Sequence, residues 1–210
     1  MGNRAIIKQD GSSLGVYLHW NGGPSSVEAF LKYCELKQYR GFHDTYGLAR
    51  FCQVVGNYFG GGLSIGVEDG ILETYKEAEY LDNGIYVVRG WEVIRHIGAS
   101  HDYEKYNLEL MLKAIDARQP EEEQLGDFLD GVETPVSDIR KGDIVFVPTL
   151  RGNYEKRKVI GIAKEGYVNG RNIEGIPYVD KWDSGPNNIN NYLTGKTVRV
   201  YKGVEPYVAY

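Results

Sequence analysis

Cysteine is scarce in this chain: its 210 residues include only Cys34 and Cys52, with no CxxC pair. No redox motif can be built from them. Each falls on the apolar face of an expected helix, where a thiol serves as a small hydrophobe. Long apolar runs are missing too. No window approaches the roughly 18 consecutive apolar residues that a membrane helix needs, and residues 1–6 lack the apolar stretch of a signal peptide. The expected compartment is a reducing cytoplasm, with no membrane partner. Gly2 invites a lipidation reading, but Ile6 stands where a myristoylation signal has Ser or Thr.

Familiar chemical motifs are equally thin. The chain has neither the Lys-Ser/Thr of a P-loop nor the spaced glycines of a dinucleotide site, and it lacks EF-hand spacing. Its histidines do not occur at the i,i+4 spacing of a helical zinc pair, and no internal repeat is visible. No cofactor or resident metal is therefore expected, and a non-enzymatic role is the leading expectation.

What the chain does have is the balance of an ordinary globular protein, with 42% hydrophobic, 25% charged and 12% aromatic residues. That excludes collagen and wholesale disorder. Charge is uneven along it: residues 1–137 hold 12 Lys and Arg against 21 Asp and Glu, a net of −9, and residues 138–210 hold 12 against 8, a net of +4. This asymmetry suggests two parts. The expected organisation is an α+β domain over residues 1–120, an acidic linker or short helix over 121–133, and a small β-barrel-like module over 134–210.

Periodicity supplies the elements. Residues 4–8 and 14–20 read as a β-hairpin. Ser25 and Glu28 form a capping box ahead of Val27, Phe30, Leu31 and Cys34, which recur at the spacing of one helical face. A second helix starts near Asp44, carries Leu48, Phe51, Cys52, Val55 and Phe59 on one stripe, and ends at glycines 60–62. Residues 63–67, 85–88 and 91–97 are strand candidates, the last two paired across Arg89 and Gly90. A third helix is expected over 102–117, with Leu110, Met111, Ala114 and Ile115 inward. The result is a mixed sheet packed by two or three helices. After residue 134 only strands and turns remain: 143–147, 158–162, 176–179 and 197–201, with a turn region at 167–172 and a polar loop at 183–191. Residues 139–147 and 158–162 resemble the first strands of Src-homology-type small barrels.

Three clusters could carry chemistry. At the strand-to-helix turn, Asn21, Gly22, Gly23, Ser25 and Ser26 could let backbone amides and the helix dipole hold a phosphate or nucleotide, or simply turn the chain. His19 and His43 are the histidines best placed for acid–base work on a phosphodiester, with Asp44 able either to orient His43 or to cap a helix; His96 and His101 bracket an expected loop. In the basic half, Arg140, Lys141, Arg151, Lys156, Arg157 and Lys158 interleave with Phe146, Tyr154, Tyr167, Tyr178, Trp182 and Tyr201, a mixture suited to phosphate contact and base stacking. Many of those aromatics must also build the module's own core. Glu68, Asp69, Asp82 and residues 121–123 form an acidic face that could imitate nucleic-acid phosphates towards a basic groove.

One group of motifs carries a resemblance. Met1-Gly2-Asn3-Arg4-Ala5, residues 15–23 (GVYLHWNGG), 46–50 (YGLAR), 56–61 (GNYFGG), 63–67 (LSIGV) and 82–87 (DNGIYV) resemble a family of uncharacterised proteins carried by phages, prophages and conjugative elements of bacteria. The resemblance spans roughly residues 1–90. It implies a gene context in which small antagonists of host immunity, including anti-CRISPR proteins, are common, and it carries no catalytic residues. The expected function is antagonism of a bacterial defence system, by binding a nucleic-acid-handling effector protein or its guide RNA. The alternatives are a sponge for a nucleotide signal at residues 21–26 and a metal-independent nuclease using His19 or His43.

Overall fold

The computed structural model describes residues 2–61, 64–100, 106–149, 153–164, 167–168, 171–180 and 192–203, and the chain divides into two compact units, Met1–Gln124 and Leu125–Tyr210. No helix among the described residues is long and apolar enough to cross a membrane. The class is α+β.

In the first unit, β1 (Ala5–Gln9), β2 (Gly15–Leu18), β3 (Ile65–Glu68), β4 (Ile85–Arg89) and β5 (Glu92–Ile97) form a five-stranded sheet ordered β3-β2-β1-β4-β5. Only the β1–β4 pair is parallel. The central strand β1 reads as an almost continuous buried run, because both faces of the sheet are covered. Period-two alternation puts Ile6, Ile85, Val87 and Ile97 on one face. There they pack against Ile71 and Ala78 from the segment that holds α3 (Tyr75–Ala78). Ile7, Val16, Leu18 and Val88 take the other face, under the helices. Each such fully buried aliphatic side chain is worth about 1.5–3 kcal/mol.

Helix α1 (Pro24–Leu36) buries Val27, Phe30, Leu31 and Cys34, the face its periodicity predicts. Its start differs from expectation. Pro24 occupies the first helical turn and Gly23 the N-cap, with no side-chain cap, because proline's fixed φ suits that position. Ser25 therefore lies inside the helix, and its Oγ accepts from the Tyr106 backbone N–H at 3.3 Å. Helix α2 (Thr45–Tyr58) begins as expected at Asp44, whose carboxylate accepts from the Tyr46 amide at 2.8 Å.

Helix α4 (Leu108–Asp116) is shorter than the expected third helix and turned by one position. Met111, Leu112, Ile115 and Asp116 face inward, whereas Leu110 is 69% exposed and Ala114 is also exposed. The reason is Asp116: its carboxylate accepts a 2.7 Å hydrogen bond from the Tyr33 hydroxyl of α1, so a charged residue takes a place that periodicity reserves for an apolar one. Residues 101–105, which include His101, lie outside the described residues.

The acidic stretch expected as a linker or short helix forms two 3-10 turns, Glu121–Glu123 and Gly126–Asp130. In the first unit, the fully buried Lys37 ammonium donates to the Glu123 carbonyl and carboxylate.

The second unit contains β6 (Val132–Pro135), β7 (Ile144–Pro148), β8 (Tyr154–Ile162), β9 (Tyr167–Val168), β10 (Arg171–Asn172), β11 (Pro177–Val179) and β12 (Thr197–Val200). Five of them make an antiparallel sheet ordered β11-β8-β7-β12-β6, and β9 pairs with β10. Among the described residues this sheet is open: β11 and β6 end it without pairing to each other. Its core is Ile139, Val145, Val147, Val159, Val179, Leu193 and Val200. β6 was not expected from the sequence, being short and rich in polar residues. The polar loop at 183–191 and Trp182 lie outside the described residues.

Candidate functional site

A groove of about 630 Å³ lies in the first unit, between α1 and the β4–β5 hairpin. Helix α1 contributes Pro24, Glu28, Leu31, Lys32 and Glu35, spaced so that one helical face forms one wall. The hairpin contributes Tyr86, Arg89, Trp91, Glu92 and Val93. Its floor is apolar and its rim carries both signs of charge, the make-up of a recognition surface. On the rim, Lys32 pairs with Glu35 at 2.6 Å and Arg89 with Asp10 at 2.7 Å.

Trp91 holds the wall in place. Its indole N–H donates to the Tyr39 carbonyl at 3.0 Å, and its ring stacks on Phe51 and meets Phe42 edge-on. The Phe42 amide donates back to the Gly90 carbonyl at 3.0 Å, and Gly90 turns the hairpin at φ +64°, a conformation suited to glycine. The groove is therefore pre-formed. Along β5 the register shifts, with Val93 opposite Val88 and Arg95 opposite Val87, so Ile94 is an extra residue. This bulge breaks the in-out alternation and leaves Val93 and Ile94 exposed on an edge strand.

The turn at residues 21–26 closes on itself. Asn21 sits at φ +54° and its amide group donates to the Ser26 hydroxyl at 3.3 Å. The Gly22 amide donates to the Asn3 carbonyl at 2.8 Å and the Ser26 amide to the Gly23 carbonyl at 3.1 Å. A Cβ on Gly22 would lie 2.5 Å from the Asn3 carbonyl oxygen and 2.7 Å from the Ala5 methyl. Gly22, Gly23 and Ser26 are buried. Gly22 admits a close approach to β1, and two amides that a phosphate would use are engaged inside the protein.

The histidines are dispersed. His19 Nδ1 shares a hydrogen bond with the Tyr17 hydroxyl at 3.0 Å, and His96 Nε2 lies 2.7 Å from the Asn83 carbonyl. His43 is exposed, and its neighbour Asp44 serves the α2 N-cap and Arg40 rather than the imidazole. Among the described residues no histidine is hydrogen-bonded to a carboxylate, and no group of three His, Cys, Asp or Glu could hold a metal. Burial pushes the thiols of Cys34 and Cys52 above their ordinary pKa, away from nucleophilic chemistry.

The basic residues do not form one patch. On β8 the pleat sends Lys156 and Lys158 to one face and Arg157 to the other, where it pairs with Glu155 at 2.6 Å. Arg140 folds back onto the Ser137 and Ile139 carbonyls. Lys156 pairs with Asp127, Lys141 and Lys158 are exposed, and Arg151 lies outside the described residues. Of the acidic residues, Glu68 and Asp69 border a second groove of about 430 Å³ on the opposite sheet face, beside Arg4 and Tyr17.

The motifs that carry the resemblance are largely one another's packing partners. Arg4 pairs with Asp82 at 3.0 Å, and the Asn83 amide group donates to Asn3. The Arg4 guanidinium holds the Asp82 carboxyl below its usual range. Sequence reasoning missed Leu31, Lys32, Trp91 and Val93 as site residues. The available signal was the apolar pair Val93 and Ile94 in a run where alternation fails. The chain was compared with protein-family models, curated proteins and solved structures, and none matches.

Proposed function

We propose that this protein is a non-catalytic antagonist of a bacterial host defence system, carried by a mobile element and acting in the host cytoplasm by binding a nucleic-acid-handling effector protein. The observation that carries the binding half of this reading is the pre-formed groove walled by α1 and the latched β4–β5 hairpin. The rigid Trp91 wall lowers the ordering cost of association, and the mixed-charge rim selects a complementary partner. The host-defence half rests on the resemblance of residues 1–90. A barrel-like closure of the second unit belongs to this reading and not to the open sheet described above. The nucleotide-sponge and histidine-nuclease alternatives are weaker, because turn 21–26 spends its Gly22 and Ser26 amides internally and His19 and His43 have separate surroundings.

The test is interference with phage or plasmid entry in bacteria carrying defined defence systems, with wild type, Val93→Glu and Glu92→Arg. Both substitutions lie on the exposed rim. One system should be switched off by wild type and restored by Val93→Glu. Wild-type failure against every system overturns the host-defence half; antagonism undiminished by both variants overturns the groove.

A further inference from the structure

The second unit contains a buried aromatic layer, with Phe128 and Phe146 each 5% exposed, that the proposed function does not use. Its first residues, 125–131, lie as a strap over the sheet face opposite the Val145–Val159–Val200 core. The strap places the Phe128 ring flat on Tyr154, with centroids 3.7 Å apart and planes at 11°. The Arg199 guanidinium lies 4.8 Å over the same ring. Tyr154 stands on β8 and Arg199 on β12, the strands flanking β7, and Phe146 of β7 meets Phe128 edge-on beneath. One residue before the ring, the Asp127 carboxylate takes the Lys156 ammonium, which sits 3.7 Å from the Tyr201 ring.

A flat ring held between a tyrosine and a guanidinium is how proteins grip a nucleobase, and a lysine beside it is how they hold the adjoining phosphate. Asp127 and Phe128 together thus present an anion and an aromatic face in the places where a nucleotide would present them. The strap can leave without breaking the sheet, since β6 begins at Val132. It is fastened by the Arg199 guanidinium, which donates to the carbonyls of Phe128, Leu129 and Gly131 at 3.0, 3.4 and 3.3 Å. The residues beneath it stay fixed on β7, β8 and β12. Lys158, exposed two residues along β8 on the same face, stands about 7 Å from Lys156, close to the spacing of successive phosphates.

We propose that the strap is an internal occupant of a nucleotide slot: displaced, it uncovers a stacking site made by Tyr154 and Arg199, with Lys156 beside it, that takes a base and phosphate of single-stranded nucleic acid. This concerns the second unit alone and does not rest on the host-defence reading.

The test uses the full chain and a fluorescently labelled oligothymidylate about ten nucleotides long, with anisotropy read at low salt. Phe128→Leu combined with Asp127→Asn keeps an apolar cover but removes both the flat ring and the anion. Affinity should rise roughly ten-fold or more over wild type, and adding Tyr154→Ala or Lys156→Ala should cancel the gain. Competition by thymidine monophosphate would identify a mononucleotide as sufficient; resistance to it would identify the strand as the ligand, and either supports the slot. No gain in a folded double variant, or a gain that survives Tyr154→Ala and Lys156→Ala, overturns it. If the double variant loses its β-sheet circular dichroism, Asp127→Asn alone is decisive: freeing Lys156 should raise affinity about three-fold, and no change overturns the proposal.

Discussion

Removing the Glu73 carboxylate should be far more damaging than removing the lysine it serves. Lys8 lies on the central strand and is 3% exposed, a cation on the sheet face shared with Ile6, Ile85 and Val87. Its ammonium donates to Glu73 Oε1 at 2.8 Å, while Glu73 Oε2 takes Arg95 of β5. Glu73→Ala strands a desolvated charge and should cost about 3–5 kcal/mol. That is a large part of a typical domain's 5–15 kcal/mol, roughly estimated. Lys8→Met removes the charge and keeps the volume. It leaves Glu73 with Arg95 and should cost below about 1.5 kcal/mol. Urea unfolding would measure both. Hydrogen exchange at the Ile71 amide, which donates to the Ser13 carbonyl at 3.0 Å, would report release of the covering segment. Equal costs for the two substitutions, or a Glu73→Ala cost under about 1 kcal/mol, would refute the desolvation argument.

The same carboxylate gives a pH dependence. Hydrogen bonding to Lys8, then charge, hold the Glu73 carboxyl below its ordinary 4.5. A depressed folded pKa means the unfolded chain binds the proton first, so this stabilisation is complete above about pH 4.5 and is lost as pH falls through the folded value. Stability measured by thermal melting from pH 5 to roughly 3 should fall less steeply in Lys8→Met than in wild type. Gly22→Ala should destabilise the first unit by about 2 kcal/mol or more, because the new methyl meets the Asn3 carbonyl; a neutral result by thermal melting would contradict the close approach. Tyr33→Phe should cost about 1–3 kcal/mol by withdrawing a donor from the buried Asp116 carboxylate, again read by urea unfolding. Tyr33→Phe with Asp116→Leu should recover part of that loss.

Much of the scaffold is legible in the residues themselves. The stripe Val27, Phe30, Leu31 and Cys34 lies inside α1, Asp44 caps α2, and the pair 85–88 with 91–97 forms a hairpin. These are local signals, set by side-chain period and capping chemistry within a few residues. Errors arise where a distant partner changes the preference of a residue. Asp116 is inward because Tyr33 donates to it, which turns α4 and exposes Leu110. Ser25 loses its expected capping role because Pro24 starts the helix two residues sooner. In the second unit, the basic run reads as one patch along the sequence, but the pleat of β8 divides it and Asp127 takes Lys156.

By itself the sequence determined the α+β class, the apolar faces of the helices and most strand positions, because hydrophobic period and turn chemistry act over short stretches of chain. Only the tertiary structure decided what lies beside what. It joined Pro24, Leu31 and Lys32 of α1 to Trp91 and Val93 of the hairpin in one groove, closed the glycine turn against β1, and seated Phe128 between Tyr154 and Arg199. These juxtapositions follow from strand order and helix placement over separations of tens of residues, where many side chains compete for the same contacts.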